Sequence, residues 1–386
     1  MTYNQIYEIV NNVAQQMTGG EISVVDTTTF VDFGNNVLSS DANKEAYLKT
    51  LADVITKIVC VSKEYSPNLG RMLLDPITYG AAKEMVYVDL PDAKEEATYA
   101  NYQDGDELNN ILIAKPKVYA NIYSKFAGFE VDLTIPDETL RTAFHNEAEM
   151  GSFIGMLFTS VENSLNHKLE GLSEMTRASV IATAYEAAEN DDAKTAINVY
   201  AEYMAIHPGS DLDPDTALHD KEFLRFASML MYKTIKKMRK YSGSYNADGY
   251  NNFTRQEDLC VDVIVDYSAN AQYYLESDTY HNSLVALPNY DELPYWQSAD
   301  SPMDIDVQIN VPGEAAGQNT KTRVTLDNVI GVIYDRSVCG MTIDNRRTKS
   351  AYSGRYELTT YYHKADIGYY VNRKENAVIF YVADND

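Results

Sequence analysis

The carboxylates of Asp211, Asp213, Asp215 and Glu222 stand at the first, third, fifth and twelfth positions of one window. That is the ligand ladder of a calcium-binding EF-hand loop, in which oxygen donors converge on a hard cation. Two residues argue against it. The sixth position of such a loop takes glycine for its sharp turn and here is Thr216, while Pro214 stiffens the fourth. The competing reading is an acidic loop that caps a helix starting near Asp220, where negative charge meets the positive end of the helix dipole.

A second cluster, Lys233, Lys236, Lys237, Arg239 and Lys240, is basic. It could face nucleic acid or an acidic partner, but it also closes a helix, where cations complement the dipole. The solvated helix end is the favoured reading. Asp104, Asp106 and Glu107 lack the apolar surroundings that raise a carboxyl pKa, so they read as a loop tip and not as a catalytic pair. His145, His167, His207, His219, His281 and His363 never fall at metal-ligand spacing. Cys60, Cys260 and Cys339 are too far apart for a CxxC pair, and each reads as a small buried hydrophobe. There is no phosphate-binding loop, dinucleotide fingerprint, GxSxG elbow or HExxH. The expectation is a chain with no catalytic residue, no cofactor and no metal.

The elements that would position such residues are organised around one stretch, Glu147 to about Ala188. No proline occurs between Pro136 and Pro208. Met150, Ile154, Leu157, Phe158, Val161, Leu165, Leu169, Leu172, Met175, Ala178 and Ile181 recur in steps of three and four. The spacing predicts a single helix of about 60 Å with one apolar face. Its apolar face is expected to pack on strands around Tyr356–Val382. Gly151, Gly155 and Gly171 are expected to allow close strand approach or a bend.

Before that helix, residues 3–17 form an amphipathic segment, 27–36 look like an extended arm, and 41–60 form a second helix. Met85–Leu90 and Val118–Tyr123 read as the strands of a long hairpin that stands away from the body, its turn near Asp104-Gly105. Gly128–Thr134 is a strand, and Pro136 opens a short helix, TLRTAF. After the long helix, Asp192–Ile206 and KEFLRFASMLMYKTIKKMRK read as helices, Leu259–Val265 as a buried central strand, and Ser268–Tyr274 as a helix. Leu284–Leu287 is a short strand and 288–302 is irregular. Val324–Tyr334, Arg355–Lys364, Ile367–Asn372 and Ala377–Val382 complete a β-rich end. The class is α+β.

Net charge is −25, which argues against gripping nucleic acid over a broad surface and fits a protein kept soluble at high copy number. The 31 tyrosines suit strands and extensive subunit interfaces. The N-terminus MTYNQIYEIV lacks the basic start and apolar block of a signal peptide, and no run of 18 apolar residues marks a membrane span.

Taken in order, these elements resemble the major capsid protein of tailed bacteriophages, the Hong Kong 97 fold, most of all in small podoviruses. The likeness is carried by KPKVYANIYSKFAGFEVDLTIPDETLRTAF running into the long helix, by NNFTRQEDLCVDVIVDYSANAQYY, and by GRYELTTYYHKADIGYYVNRKENAVIFYVA. The resemblance implies an N-terminal arm and helices over 1–70 and an extended hairpin, the E-loop, over 71–127. It further implies a peripheral domain with the spine helix over 128–190 and 345–386, and an axial domain over 191–344. Subunit contacts are expected at Tyr99, Tyr102, Asp104, Glu107, Lys115 and Lys117.

Also implied are self-association into hexamers and pentamers and an icosahedral head around double-stranded DNA held without sequence-specific binding. Scaffolding and portal partners, no membrane, assembly in the host cytoplasm and a final place in the virion follow from the same likeness. The best-known small podovirus member carries an immunoglobulin-like domain after the shell domain, whereas this sequence stops soon after its last strand, and the lysine–asparagine crosslink of some shell proteins is not carried over to Lys94, Lys115 or Lys117. The alternatives are an encapsulin-like compartment, a carbohydrate-active enzyme with two carboxylates about 5–10 Å apart in a cleft, and a calcium-regulated binding protein.

Overall fold

A stretch free of proline, with apolar residues on one side, forms a single helix, α1 (Glu147–Asn190), of 44 residues, about 66 Å long. The computed structural model describes residues 11, 33–34, 37, 47, 72, 83–89, 117–123, 126–138, 147–190, 193–276, 290–312 and 319–384. Along α1, Leu157, Val161, Leu165, Leu169 and Leu172 are buried on one stripe. Met175 leaves that stripe and is exposed, and from Thr176 to Ala187 nearly every side chain is covered. Thr176 and Thr183 remain satisfied there by donating to the carbonyls of Leu172 and Ser179, both at 2.7 Å.

The strands, in chain order, are β1 (Lys83–Val88), β2 (Val118–Tyr123), β3 (Phe126–Pro136), β4 (Ala196–Asn198) and β5 (Leu259–Ile264). They continue as β6 (Tyr290–Leu293), β7 (Ile305–Pro312), β8 (Asn319–Leu326) and β9 (Val329–Asp335). β10 (Cys339–Ser353), β11 (Leu358–Val371) and β12 (Ala377–Tyr381) close the chain. A three-stranded antiparallel sheet has the order β10-β11-β3, and a five-stranded mixed sheet the order β4-β12-β9-β5-β6. β1-β2 and β7-β8 are two-stranded antiparallel ribbons. All six residues of β5 are buried, as its central position requires.

The long helix packs on β3, β10 and β11, on β12 and β4, and on β7 and β8. Its cover is therefore drawn from both sheets and a ribbon, a wider set than the closing strands alone. Among the described residues, the further helices are α2 (Val199–Ile206), α3 (Lys221–Met238) and α4 (Val265–Glu276); α2 and α4 pack on the five-stranded sheet and α3 packs on both of them. Asn198 caps α2 by accepting from the Tyr200 and Ala201 amides, and Asp220 caps α3 by accepting from Phe223 at 2.8 Å.

Several expectations need correction. Asp192–Ile206 is not one helix, because Ala196–Asn198 instead pairs parallel with β12. Tyr290–Leu293 is a strand within the stretch read as irregular. Val324–Tyr334 is two strands, divided at Asn328, whose φ of 54° lies in the left-handed region. Arg355–Lys364 and Ile367–Asn372 are one strand, β11, that begins after a turn at Glu357 with φ 46°. Phe33 and Gly34 are helical, with Phe33 buried, where an extended arm was expected. A Cβ added at Gly155 or Gly171 would meet nothing within 4 Å, so neither glycine admits a strand. The segments 3–10, 12–17, 139–144 and 284–287, together with Cys60, lie outside the described residues.

Candidate functional site

Among the polar clusters that join distant parts of the described chain, two are built on a carboxylate and a tyrosine hydroxyl. The first is buried where α1 crosses the five-stranded sheet. Arg177 Nε donates to Asp262 Oδ2 at 3.0 Å, and the Tyr334 hydroxyl donates to the same oxygen at 2.9 Å. Arg177 Nη1 also donates to Ser173 Oγ at 3.1 Å. Arg177 is 2% exposed and Asp262 1%. Burial pushes the Asp262 carboxyl up, and the Arg177 charge and Tyr334 hydroxyl pull it back. Burial and the Asp262 charge hold the Tyr334 phenol well above its usual range, and burial raises the neighbouring Cys339 thiol. A carboxylate, a guanidinium, a phenol and a thiol together resemble a reaction centre, but all four are enclosed, and the thiol is held away from its reactive thiolate form. The cluster binds α1 to β5 and β9.

The second group lies at the base of the β1-β2 ribbon. The β11-β12 connection turns at Asn372–Asn376, which brings Asn372 and Glu375 under the ribbon. Tyr87 of β1 donates its hydroxyl to Glu375 Oε1 at 3.0 Å, and Asn252 donates to the other carboxylate oxygen. Asn372 donates to the Tyr87 oxygen, and Asn121 of β2 donates to Asn372 at 3.3 Å. Tyr87 and Tyr119 meet the Tyr250 ring edge-on at 5.3 and 6.1 Å, and Tyr123 lies 4.9 Å from Tyr370. Burial, followed by the nearby Asp335 carboxylate, pushes Glu375 up to about 7, while the Tyr87 and Asn252 hydrogen bonds act downward. The ribbon was expected to stand away from the body; its base is instead docked along one face.

The opposite face of the ribbon is apolar and uncovered. The register pairs Val86 with Ala120, Val88 with Val118 and Glu84 with Ile122. Side chains alternate across a strand, so these residues share the outward face. Val86 is 56% and Ile122 64% exposed, and Val88 and Val118 are likewise open. Of the residues expected to make subunit contacts, Lys117 is described. It is exposed, and its carbonyl accepts from the Asp89 amide at 3.0 Å, closing the paired stem. Tyr99, Tyr102, Asp104, Glu107 and Lys115 lie outside the described residues. Sequence reading missed Tyr87, Asn121, Asn252, Asn372 and Glu375. The alternation in MVYVDL and VYANIY carried the available signal.

The acidic ladder does not form a calcium loop. Asp213 caps a short 3-10 helix, Pro214–His219, by accepting from the Asp215 amide, and Asp220 is occupied as the α3 cap. Among the described residues, no three His, Cys, Asp or Glu side chains converge as metal ligands. The lysines at the end of α3 are exposed, and Cys260 and Cys339 are buried thiols. No helix among the described residues is long and apolar enough to cross a membrane.

A chain with closed polar joints, a long spine helix and a bare apolar ribbon has the features of a subunit that meets its like. Residues 6–381 match the family model described as Phi29-like phage major capsid protein. The chain belongs to that family. It is a major capsid protein, the subunit of a phage head shell, and its place is the virion. A chain in the capsid structure of Staphylococcus phage Andhra is 11% identical, with a TM-score of 0.50 over 84% of this chain and 88% of that one. A chain of a bacteriophage P68 structure, described as that of its head fiber and inner core protein gp22, is 8% identical. Its TM-score is 0.51, over 81% of this chain and 83% of that one. Identities this low bear on the fold alone, and the fold is the Hong Kong 97 type. No curated protein matches the chain in sequence. Membership in this family disfavours the encapsulin-like and carbohydrate-active alternatives.

Proposed function

We propose that copies of this capsid protein associate into hexamers and pentamers that close an icosahedral head around double-stranded DNA. In this reading the apolar outer face of the β1-β2 ribbon lies on a neighbouring subunit, and the hairpin beyond it, with Tyr99, Tyr102, Asp104, Glu107 and Lys115, extends that contact. The observation that carries the reading is the exposure of Val86, Val88, Val118 and Ile122 on one face. A β-branched apolar surface of this kind is a partner surface.

Residues 1–70 serve as the arm, 71–127 as the E-loop, 128–190 with 345–386 as the peripheral domain, and 191–344 as the axial domain. β12 is the strand by which the end of the chain returns to the axial sheet. The protein acts by assembly and not by catalysis. Scaffolding and portal proteins are its partners during head formation, and the net charge of −25 keeps the inner wall from adhering to the genome. Electron microscopy of the purified chain tests the reading. Closed shells are expected; a monomer under every assembly condition contradicts it.

A further inference from the structure

The exposed cations of α3 are more than a capped helix end. Helix-dipole stabilisation fades within the last turn. Lys233 lies upstream of that turn, and Arg239 and Lys240 lie at or beyond the end of α3, which closes at Met238. Among the described residues, none of Lys233, Lys236, Lys237, Arg239 and Lys240 has an ion-pair partner. Lys236 Nζ stands 5.0 Å over the exposed Tyr232 ring, and Tyr241 is exposed beside the patch.

The opposite end of α3 carries the opposite charge. An open cleft of about 650 Å³ is lined by Asp211, Asp213, Asp215 and Asp384, all four of them exposed. The 3-10 helix that Asp213 caps and that carries Asp215 packs on α3. The 18 residues of α3 set the two patches about 27 Å apart.

We propose that the lysine-rich end of α3 in one copy docks against the acidic cleft of a second copy. A ring of identical subunits is built from heterologous contacts, which need two unlike, complementary patches on each chain. Copies that each carry −25 repel one another, and a cationic patch meeting an acidic cleft offsets that repulsion where the contact forms. The same net charge opposes the rival occupant, a nucleic-acid phosphate backbone. This pairing rests on the reading that copies associate into capsomers.

The test is sedimentation velocity on the full chain as salt is raised, with circular dichroism as a check of folding. The variants are Lys236→Glu/Lys237→Glu/Lys240→Glu, Asp211→Lys/Asp215→Lys, and the two sets combined. Salt screens both the proposed attraction and the net repulsion, so each variant is compared with the parent at the same salt. Each one-sided reversal should weaken association by about tenfold or more, and the combined reversal should restore it. Folded one-sided variants that associate as well as the parent overturn the pairing and leave the shell reading intact, as does a combined variant that gains nothing. A parent chain that never associates overturns both. Lysine reversal that abolishes binding to a short DNA duplex while leaving self-association unchanged assigns the patch to nucleic acid and overturns the proposal.

Discussion

The joint at Asp262 and the joint at Glu375 use nearly the same parts. Each has a carboxylate that accepts from a tyrosine hydroxyl and from a nitrogen donor on a distant segment. The difference is the nitrogen. Asp262 faces the guanidinium of Arg177, whose charge opposes the effect of burial. Glu375 faces the neutral amide of Asn252 and has Asp335 as an unfavourable neighbour. One joint is a closed ion pair inside the subunit, and the other sits at the root of the ribbon and titrates near neutrality. Burial raises both carboxyls; a built-in cation opposes the rise at Asp262, and only hydrogen-bond dipoles oppose it at Glu375.

The largest effect expected from breaking this contrast is at Arg177. Arg177→Met leaves Asp262 buried without its cation and should cost about 3–5 kcal/mol. Urea unfolding followed through the single tryptophan checks this, because Trp296 is buried and donates to the Val329 carbonyl at 2.8 Å. Adding Asp262→Leu should recover much of the loss, since the partner charge goes as well. A double variant no more stable than Arg177→Met would show that packing, and not charge, dominates the joint.

A smaller effect is expected at Glu375. Its folded pKa of about 7 stands above the ordinary 4.5, so between these values the folded chain holds a proton that the unfolded chain has released. The stability contributed by Glu375 is then fully present below pH 4.5 and is lost as pH rises through 7. The Glu375 contribution amounts to on the order of 3 kcal/mol. Glu375→Gln should remove this part of the pH profile, measured as the urea midpoint from acid to pH above neutrality. Asp335, Asp258 and the Tyr87 hydroxyl face the same carboxyl, so a profile that persists in the variant would assign the titration to Asp335.

The smallest effect comes from a site on α1 that touches neither joint. Gly171 is exposed, with open space where a Cβ would stand. Gly171→Ala should stabilise the subunit by up to about 1 kcal/mol, with no change in the pH profile. Thermal unfolding at two pH values reads both outcomes.

The long helix, α3 and the buried strand β5 were legible because their apolar periods run unbroken over many residues. β10 was not, since RRTKSAYS within it carries no apolar alternation and is held by its register with β11. β6 is a four-residue edge strand beside prolines, where propensity says little. The Asp327-Asn328 turn was present in the sequence but was overridden by the apolar run around it. Neither joint could be read in advance. Arg177 and Asp262 are 85 residues apart and Tyr87 and Glu375 are 288 apart, and separations of that size are closed by tertiary packing and not by local pattern. The hairpin stem was visible as alternation, but its docked inner face was not.

The central claim is that the apolar outer face of the ribbon is covered by a neighbour in the shell. Thiol labelling of Ile122→Cys in a Cys60→Ser background tests it directly, because Cys260 and Cys339 are buried. The account predicts rapid labelling of free subunits and labelling slowed by about tenfold or more in assembled shells, as expected for a thiol taken out of solvent contact. Equal labelling rates in subunits and shells would contradict it.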